Sequence, residues 1–228
     1  MQLLNLTYQT PVENLAIDEQ LLKAVDQGDF PNGICRIWES STYFVVLGLS
    51  KKIEDDVHDD ACKNDGIPIL KRCSGGGTVL QGPGCFNYGF VLPMKNNKNL
   101  SSITSTTSYI LSLVQEALSP YVSGTEQKGI SDLVINDIKF SGNAQRRLKH
   151  AILFHGTILY DFNLSLVTKY LKEPPVQPEY RQKRSHNQFI QNIKVSKDNL
   201  IQSFATILPN HVILPSDYIS DELLRKYR

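Results

Sequence analysis

Several things are scarce in this sequence, and each scarcity removes a class of protein. No apolar run is long enough to cross a bilayer. The start, MQLLNLTYQTP, has neither the basic region nor the apolar core of a secretion signal. Charge of one sign is missing too: 24 Lys and Arg against 23 Asp and Glu leave a net charge of +1. That gives no general attraction to nucleic acid or to an acidic membrane surface, and neither is expected as a partner. The four cysteines, Cys35, Cys62, Cys73 and Cys85, show no CxxC spacing. They read as reduced thiols in a cytoplasmic setting, too few to staple the chain and wrongly spaced for zinc. Neither GxxxxGK[ST] nor GxGxxG is present, which removes the common nucleotide-loop signatures.

What is present is ordinary for a globular protein: 41% hydrophobic and 21% charged residues in a chain of 228. PVENLAIDEQLLKAV spaces its leucines as a helix opened by Pro11. ICRIWESSTYFVVLG reads as two short strands broken by SST, followed by a polar helix over roughly 54–64 and a strand in IPILKRC. FNYGFVLP is a strand, and SSITSTTSYILSLVQEAL is an amphipathic helix with a Ser/Thr-rich start. After a hairpin come the strand AILFHGTILY, a helix from Asn163, an extended proline-rich loop, and two helices capped by Ser196 and Ser220. This mixture predicts an α+β domain with a mixed, largely antiparallel sheet flanked by helices. One domain over 1–228 is expected, with a short helical extension from about 172 and no large separate C-terminal domain.

KRCSGGGTVLQGPGCFNYGF carries the first functional signal. Consecutive glycines let backbone N–H groups form an anion-binding nest and let a ligand come close. Arg72, just before them, offers a charged fork suited to phosphate or carboxylate. A flexible hairpin is the competing reading. Gly82-Pro83-Gly84 reads as a turn into the next strand.

DLVINDIKFSG carries the second. With Asn136-Asp137 as a two-residue turn, Ile135 faces Ile138, Val134 faces Lys139, Leu133 faces Phe140 and Asp132 faces Ser141. Alternation then gives an apolar face of Leu133, Ile135, Ile138 and Phe140, and a second face of Asp132, Val134, Lys139 and Ser141. Asp132 and Lys139 are diagonal neighbours, either a solvated ion pair or, beside the bare SGN, a cation facing a developing negative charge.

KRCSGGGTV, NDIKFSGNAQRR and LFHGTIL, in that order, resemble the lipoate–protein ligase A group of the biotin/lipoate ligase family. NLAIDEQLL and RIWES…VVLG fit the same pattern, so the resemblance covers roughly 14–171. It implies a class II biotin/lipoate ligase-like fold. It also implies activation of lipoate or octanoate with ATP and Mg²⁺ to an acyl-adenylate such as lipoyl-AMP. The acyl group then passes to a lysine of a lipoyl domain, in a 2-oxoacid dehydrogenase complex or the glycine cleavage H protein. An accessory ligase subunit is a further partner the resemblance admits. By motif, Lys139 is the catalytic lysine. Arg72, Ser74, Gly75, Gly76, Gly77, Val79, Gln81, Ser141, Gly142, His155 and Gly156 surround the acyl-adenylate, and Asp132 supports Mg²⁺. Gln81 stands where bacterial ligases of this type often carry a histidine.

The same fold hosts octanoyltransferases that work through a cysteine thioester. In one branch that cysteine lies three residues before the HG histidine, where this chain has Ile152; in others it precedes the lysine motif, where this chain has none. Cys73 and Cys85 have no activating base evident in the sequence and read as small apolar filler. A third reading is a non-catalytic partner with the same fold. Tyr180, Arg181, Lys183, Arg184 and His186 form a cationic stretch with two readings: a solvated loop, or a contact for ATP phosphates or an acidic lipoyl domain. Trp38 is expected in the core or in a pocket wall.

Overall fold

Cys85–Pro93 is a strand of nine residues buried along almost its whole length, because helices cover both faces of the sheet it centres. The computed structural model describes residues 1–215 and 218–227, so part of the expected 172–228 extension lies outside the described residues. In chain order the first elements are β1 (Gln2–Asn5), α1 (Pro11–Gln27), β2 (Ile34–Trp38), β3 (Phe44–Leu47), α2 (Ile53–Asp56) and α3 (Asp59–Asn64). Then come β4 (Ile69–Lys71), β5 (Val79–Gln81), β6 (Cys85–Pro93), α4 (Ile103–Leu118) and β7 (Glu126–Lys128). The remainder are β8 (Asp132–Ile135), β9 (Ile138–Ser141), β10 (Asn143–Arg147), β11 (Ala151–Leu159), α5 (Ser165–Tyr170), α6 (His186–Phe189), α7 (Lys197–Ile207) and α8 (Asp221–Tyr227).

A five-stranded sheet runs β1-β2-β6-β11-β10, with β1 parallel to β2 and the other pairs antiparallel. Two three-stranded sheets, β4-β3-β5 and β7-β8-β9, complete the α+β architecture. Alternation along β6 sorts the layers. Phe86, Tyr88 and Phe90 pack with Ile110, Leu111 and Val114 of α4 and Phe204 of α7. Val91, on the opposite face, packs with Leu15, Leu21 and Leu22 of α1 and Leu223 of α8. The segment after Leu171 is therefore no appendage, since α7 and α8 each complete a core layer.

Local chemistry explains the ends of α1. The Thr10 hydroxyl accepts from Glu13 N–H while the Glu13 carboxylate accepts from Thr10 N–H, and Gly28 closes the helix with φ 109°. The polar stretch expected as one helix over 54–64 is two short ones, α2 and α3, with Val57 extended between them. Val57 is buried and bridges Leu171, so tertiary contact overrides helix continuity there. In the 136–137 turn both central residues have positive φ, 52° and 62°, as the two-residue hairpin requires. The register holds for Ile135–Ile138 and Val134–Lys139 and then shifts: Leu133 faces Ser141, not Phe140. Phe140 is the extra residue of a bulge, which lets Leu133, Val134 and Phe140 all be buried.

α1 is tied to the sheet by a charge. Arg36 on β2 is fully buried, donates to Asp18 Oδ1 at 2.8 Å and to the carbonyls of Leu6 and Asn14, and lies 4.8 Å from the Trp38 ring centroid. Burial holds the Asp18 carboxyl above its ordinary range even with Arg36 beside it. Removing one partner of such a pair strands the other charge. Arg36→Met is expected to lower unfolding free energy by about 3–5 kcal/mol in denaturant titrations. Adding Asp18→Asn should recover part of that loss, and simple additivity would contradict the pairing.

Candidate active site

The glycine loop between β4 and β5 is built around one cation. Arg72 is buried, and its fork turns back into the loop instead of outward. Nε donates to Ser74 Oγ at 3.0 Å, and Nη2 donates to the carbonyls of Gly75 at 2.6 Å and Gly77 at 2.8 Å. Desolvation pushes the Arg72 guanidinium down to about 10, still charged at neutral pH. In a trans peptide the carbonyl and the following N–H point in opposite directions. Drawing the Gly75 and Gly77 carbonyls onto Arg72 therefore turns the N–H groups of Gly76 and Thr78 away from it. Neither has an acceptor among the described residues. That is a nest of backbone donors with a positive charge behind it. Gly76 has φ 91°, and a Cβ there would lie 2.8 Å from Arg72 Nη2, so this position needs glycine.

Ser74 links the loop to the central sheet through a 2.6 Å contact between its Oγ and His155 Nε2. His155 is half-buried and lines the cavity beside the loop. Desolvation, with Arg72 nearby, pushes its imidazole down to about 3. It is neutral and serves as a polar wall, not as a cation.

The hairpin supplies the lysine. Lys139 Nζ lies 2.7 Å from Asp132 Oδ1, the diagonal pairing expected from the sequence, and Tyr180 donates its hydroxyl to Asp132 Oδ2 at 2.6 Å. A Cβ at Gly142 would lie 2.8 Å from Lys139 Nζ, so the bare residue gives the ammonium its place. Gly156 is bare for another neighbour: a Cβ there would overlap Asn143 Oδ1, which accepts from the Tyr88 hydroxyl. The Asn143 amide in turn donates to Ser131 O at 2.7 Å, locking β10 to the turn before β8.

The segment between α5 and α7 straps the hairpin in place. Gln191 N–H donates to Lys139 O at 2.8 Å, and the Gln191 side chain donates to the carbonyls of Ile135 and Ile138, each at 3.0 Å. Much of the cationic stretch is held against the protein. Arg181 is buried, pairs with Glu173 and lies 4.7 Å from the Phe189 ring centroid, while Arg184 donates to Asp137 O at 2.9 Å. Burial keeps the imidazole of His186 below its ordinary value. Lys183 stays exposed.

These elements enclose a cavity of about 310 Å³. Of the residues expected from the sequence, Arg72, Gly77, Val79, Gln81, Asp132, Lys139, Ser141, Gly142, His155 and Gly156 line it. Ser74, Gly75 and Gly76 stand behind them. Leu15, Trp38, Val46, Leu80, Phe162 and Val167 make the apolar part of the wall. Gln81 is buried, and its Oε1 has no partner among the described residues. Asp18, Lys51, Asp56, Thr78, Asn87 and Asn143 also line the cavity and escaped the sequence reading. Thr78 and Asn87 fall within the glycine-rich stretch, Asn143 within SGN and Asp18 within NLAIDEQLL, whereas nothing in the sequence marked Lys51 or Asp56. Among the described residues no group of three or more His, Cys, Asp or Glu side chains could hold a metal. Burial pushes the Cys73 thiol up to about 11 and the Cys85 thiol up to about 12.

A chain in the structure of a bi-partite lipoate protein ligase and its E2 lipoyl domain from Thermoplasma acidophilum has this fold. The match has a TM-score of 0.79 at 24% identity and covers 99% of this chain and 90% of that one. The pattern of the lipoyl protein ligase A/B catalytic domain matches residues 10–212, and the chain belongs to that family. A probable lipoate-protein ligase A of Mycoplasma genitalium is 29% identical over 161 residues, 71% of this chain and 46% of its own length. The lipoate-protein ligase LplJ of Bacillus subtilis is 25% identical over 215 residues, 93% of this chain and 62% of its own. The chain spans about half the length of the curated relatives it matches first.

Two outcomes follow from the buried groups. Both the Cys73 and Cys85 thiols should resist iodoacetamide in the native protein at pH 8 and react on unfolding; rapid native labelling would contradict the packing. The folded-state value of His155 lies below its ordinary value, so the unfolded chain binds the proton first. Its contribution to stability is whole above pH 6.5 and is lost as pH falls from there towards 3. Denaturant midpoints across that range should fall more steeply for the wild type than for His155→Gln.

Proposed function

We propose that this chain is the catalytic domain of a lipoate–protein ligase. It activates lipoate or octanoate with ATP to an acyl-adenylate, then passes the acyl group to a lysine of a lipoyl domain. The observation that carries this reading is the meeting, at one cavity, of Lys139 and a glycine loop backed by Arg72, beside an apolar wall that suits an acyl chain. Adenylation brings a carboxylate and a triphosphate within attack distance, so two anions must be held together. The Gly76 and Thr78 N–H groups and the Lys139 ammonium can take up charge at the α-phosphate as the carboxylate oxygen bonds to phosphorus and pyrophosphate departs. In the second step the amine of the target lysine attacks the acyl carbonyl and AMP leaves. The anhydride carries the activation, so no protein nucleophile is required.

The buried, un-ionised state of Cys73 and Cys85 favours this route over a thioester transferase. Mg²⁺ is commonly held by one or two carboxylates together with substrate phosphates and water. Asp132 fits as a single such ligand, since its oxygens accept from Lys139 and Tyr180 and keep lone pairs free. Mg²⁺ would supply charge neutralisation on the triphosphate, while Tyr180 and Lys139 orient the carboxylate. The proposed protein partners are lipoyl domains of 2-oxoacid dehydrogenase complexes or the glycine cleavage H protein, with an accessory ligase subunit where the reaction requires one. A cytoplasmic setting suits the reduced thiols.

Lipoate-dependent pyrophosphate release from ATP tests the reading. Wild type is expected to be active and Lys139→Ala to lose about 10²-fold or more. Octanoyl transfer from a carrier protein without ATP, abolished by Cys73→Ala or Cys85→Ala, would overturn it.

A further inference from the structure

One wall of the cavity has no part in the steps above. Beyond β3 the chain runs against the glycine loop: a Cβ at Gly48 would lie 2.1 Å from Gly76 O, and Leu49 N–H donates to Ser74 O at 2.8 Å. Lys51 follows at once. Its ammonium lies 3.3 Å from Asp56 Oδ1, and Asp56 Oδ2 accepts from the hydroxyl of Thr78, the residue directly after Gly77. Lys51, Asp56 and Thr78 all line the cavity. The Asp56 side chain is 6% exposed and that of Lys51 31%, so a buried carboxylate anchors an ammonium that still meets the open space.

An inventory of the lining cations gives Lys51 its meaning. Arg72 is spent on the loop carbonyls, Arg181 pairs with Glu173, and the Lys172 ammonium donates to Glu54 O at 2.7 Å. Lys139 is held at 2.7 Å by Asp132. Lys51, at 3.3 Å from Asp56, is the more loosely held of the two carboxylate-anchored lysines on the cavity wall. Gly76 sits between the β3 exit that carries Lys51 and Ala144 of β10, which a Cβ on Gly76 would approach to 3.3 Å. Lys51 is tied to the loop through Asp56 and Thr78, whereas Lys139 lies against Gly142, two residues before Ala144. A nucleotide whose α-phosphate meets the nest and Lys139 has two further phosphates to place. As the bond from the α-phosphorus to the bridging oxygen breaks, its electron pair goes to the β-phosphate, and charge gathers on the leaving group.

We infer that Lys51, anchored by Asp56 and Thr78, binds the β- and γ-phosphates of ATP and the pyrophosphate they become. This subsite rests on the ligase reading but is measurable without turnover. Calorimetric titration of the whole chain with inorganic pyrophosphate and, separately, with AMP tests it. Lys51→Ala should weaken pyrophosphate binding about tenfold or more, as expected for one charge-assisted contact, and leave AMP binding within about twofold. Lys51→Arg should restore most of the pyrophosphate affinity. Unchanged pyrophosphate affinity in Lys51→Ala, no measurable pyrophosphate binding in wild type, or equal loss for both ligands would overturn the assignment. A wild type that binds pyrophosphate through Lys51 yet releases none from ATP and lipoate would instead refute the ligase reading and leave the subsite standing.

Discussion

The site depends on the Arg72 guanidinium being turned inward. A buried cation that collects the carbonyls of Gly75 and Gly77 does two things at once. It gives a bare loop a defined shape, and it turns the Gly76 and Thr78 N–H groups away from itself. Glycine loses more entropy on folding than any other residue, so three in a row need an enthalpic anchor of this kind. The anchor extends outward: Arg72 holds Ser74, Ser74 holds His155, and His155 belongs to β11, which pairs with the central strand β6.

A similar division of labour governs the hairpin. Lys139 owes its position to Asp132, Asp132 is also bound by Tyr180, and the Tyr180 segment is folded by the Arg181–Glu173 pair. Residues far along the chain thereby set the position of one ammonium. The strap makes the segment after Leu171 part of the cavity, since it supplies Pro174, Val176, Pro178, Phe189 and Ile190 to the wall.

How much of this was legible in the sequence follows from the range of each interaction. α1 was readable because its signals are local: Pro11 opens it and its apolar residues recur at helical spacing. The 136–137 turn and the Asp132–Lys139 pair were readable for the same reason. The register beyond Val134 was not, because the Phe140 bulge is decided by which side chains the neighbouring layers can bury. Short strands escaped as well: NAQRR in β10 shows neither alternation nor β-branched residues and is a strand only because β11 pairs with it. The direction of the Arg72 fork and the burial of Arg181 depend on partners that charge counting cannot see. So does the place of Asp18, which enters the cavity from a helix whose spacing spoke only of packing.

The most direct test of the account is a crystal structure with a non-hydrolysable acyl-sulfamoyl adenosine bound. The account predicts the sulfamoyl group on the Gly76 and Thr78 N–H groups, Lys139 Nζ in hydrogen-bonding reach of the acyl carbonyl or sulfamoyl oxygens, and the Arg72 fork still clasping the Gly75 and Gly77 carbonyls. A ligand bound outside this cavity, or an Arg72 that leaves the loop to contact the ligand itself, would contradict it.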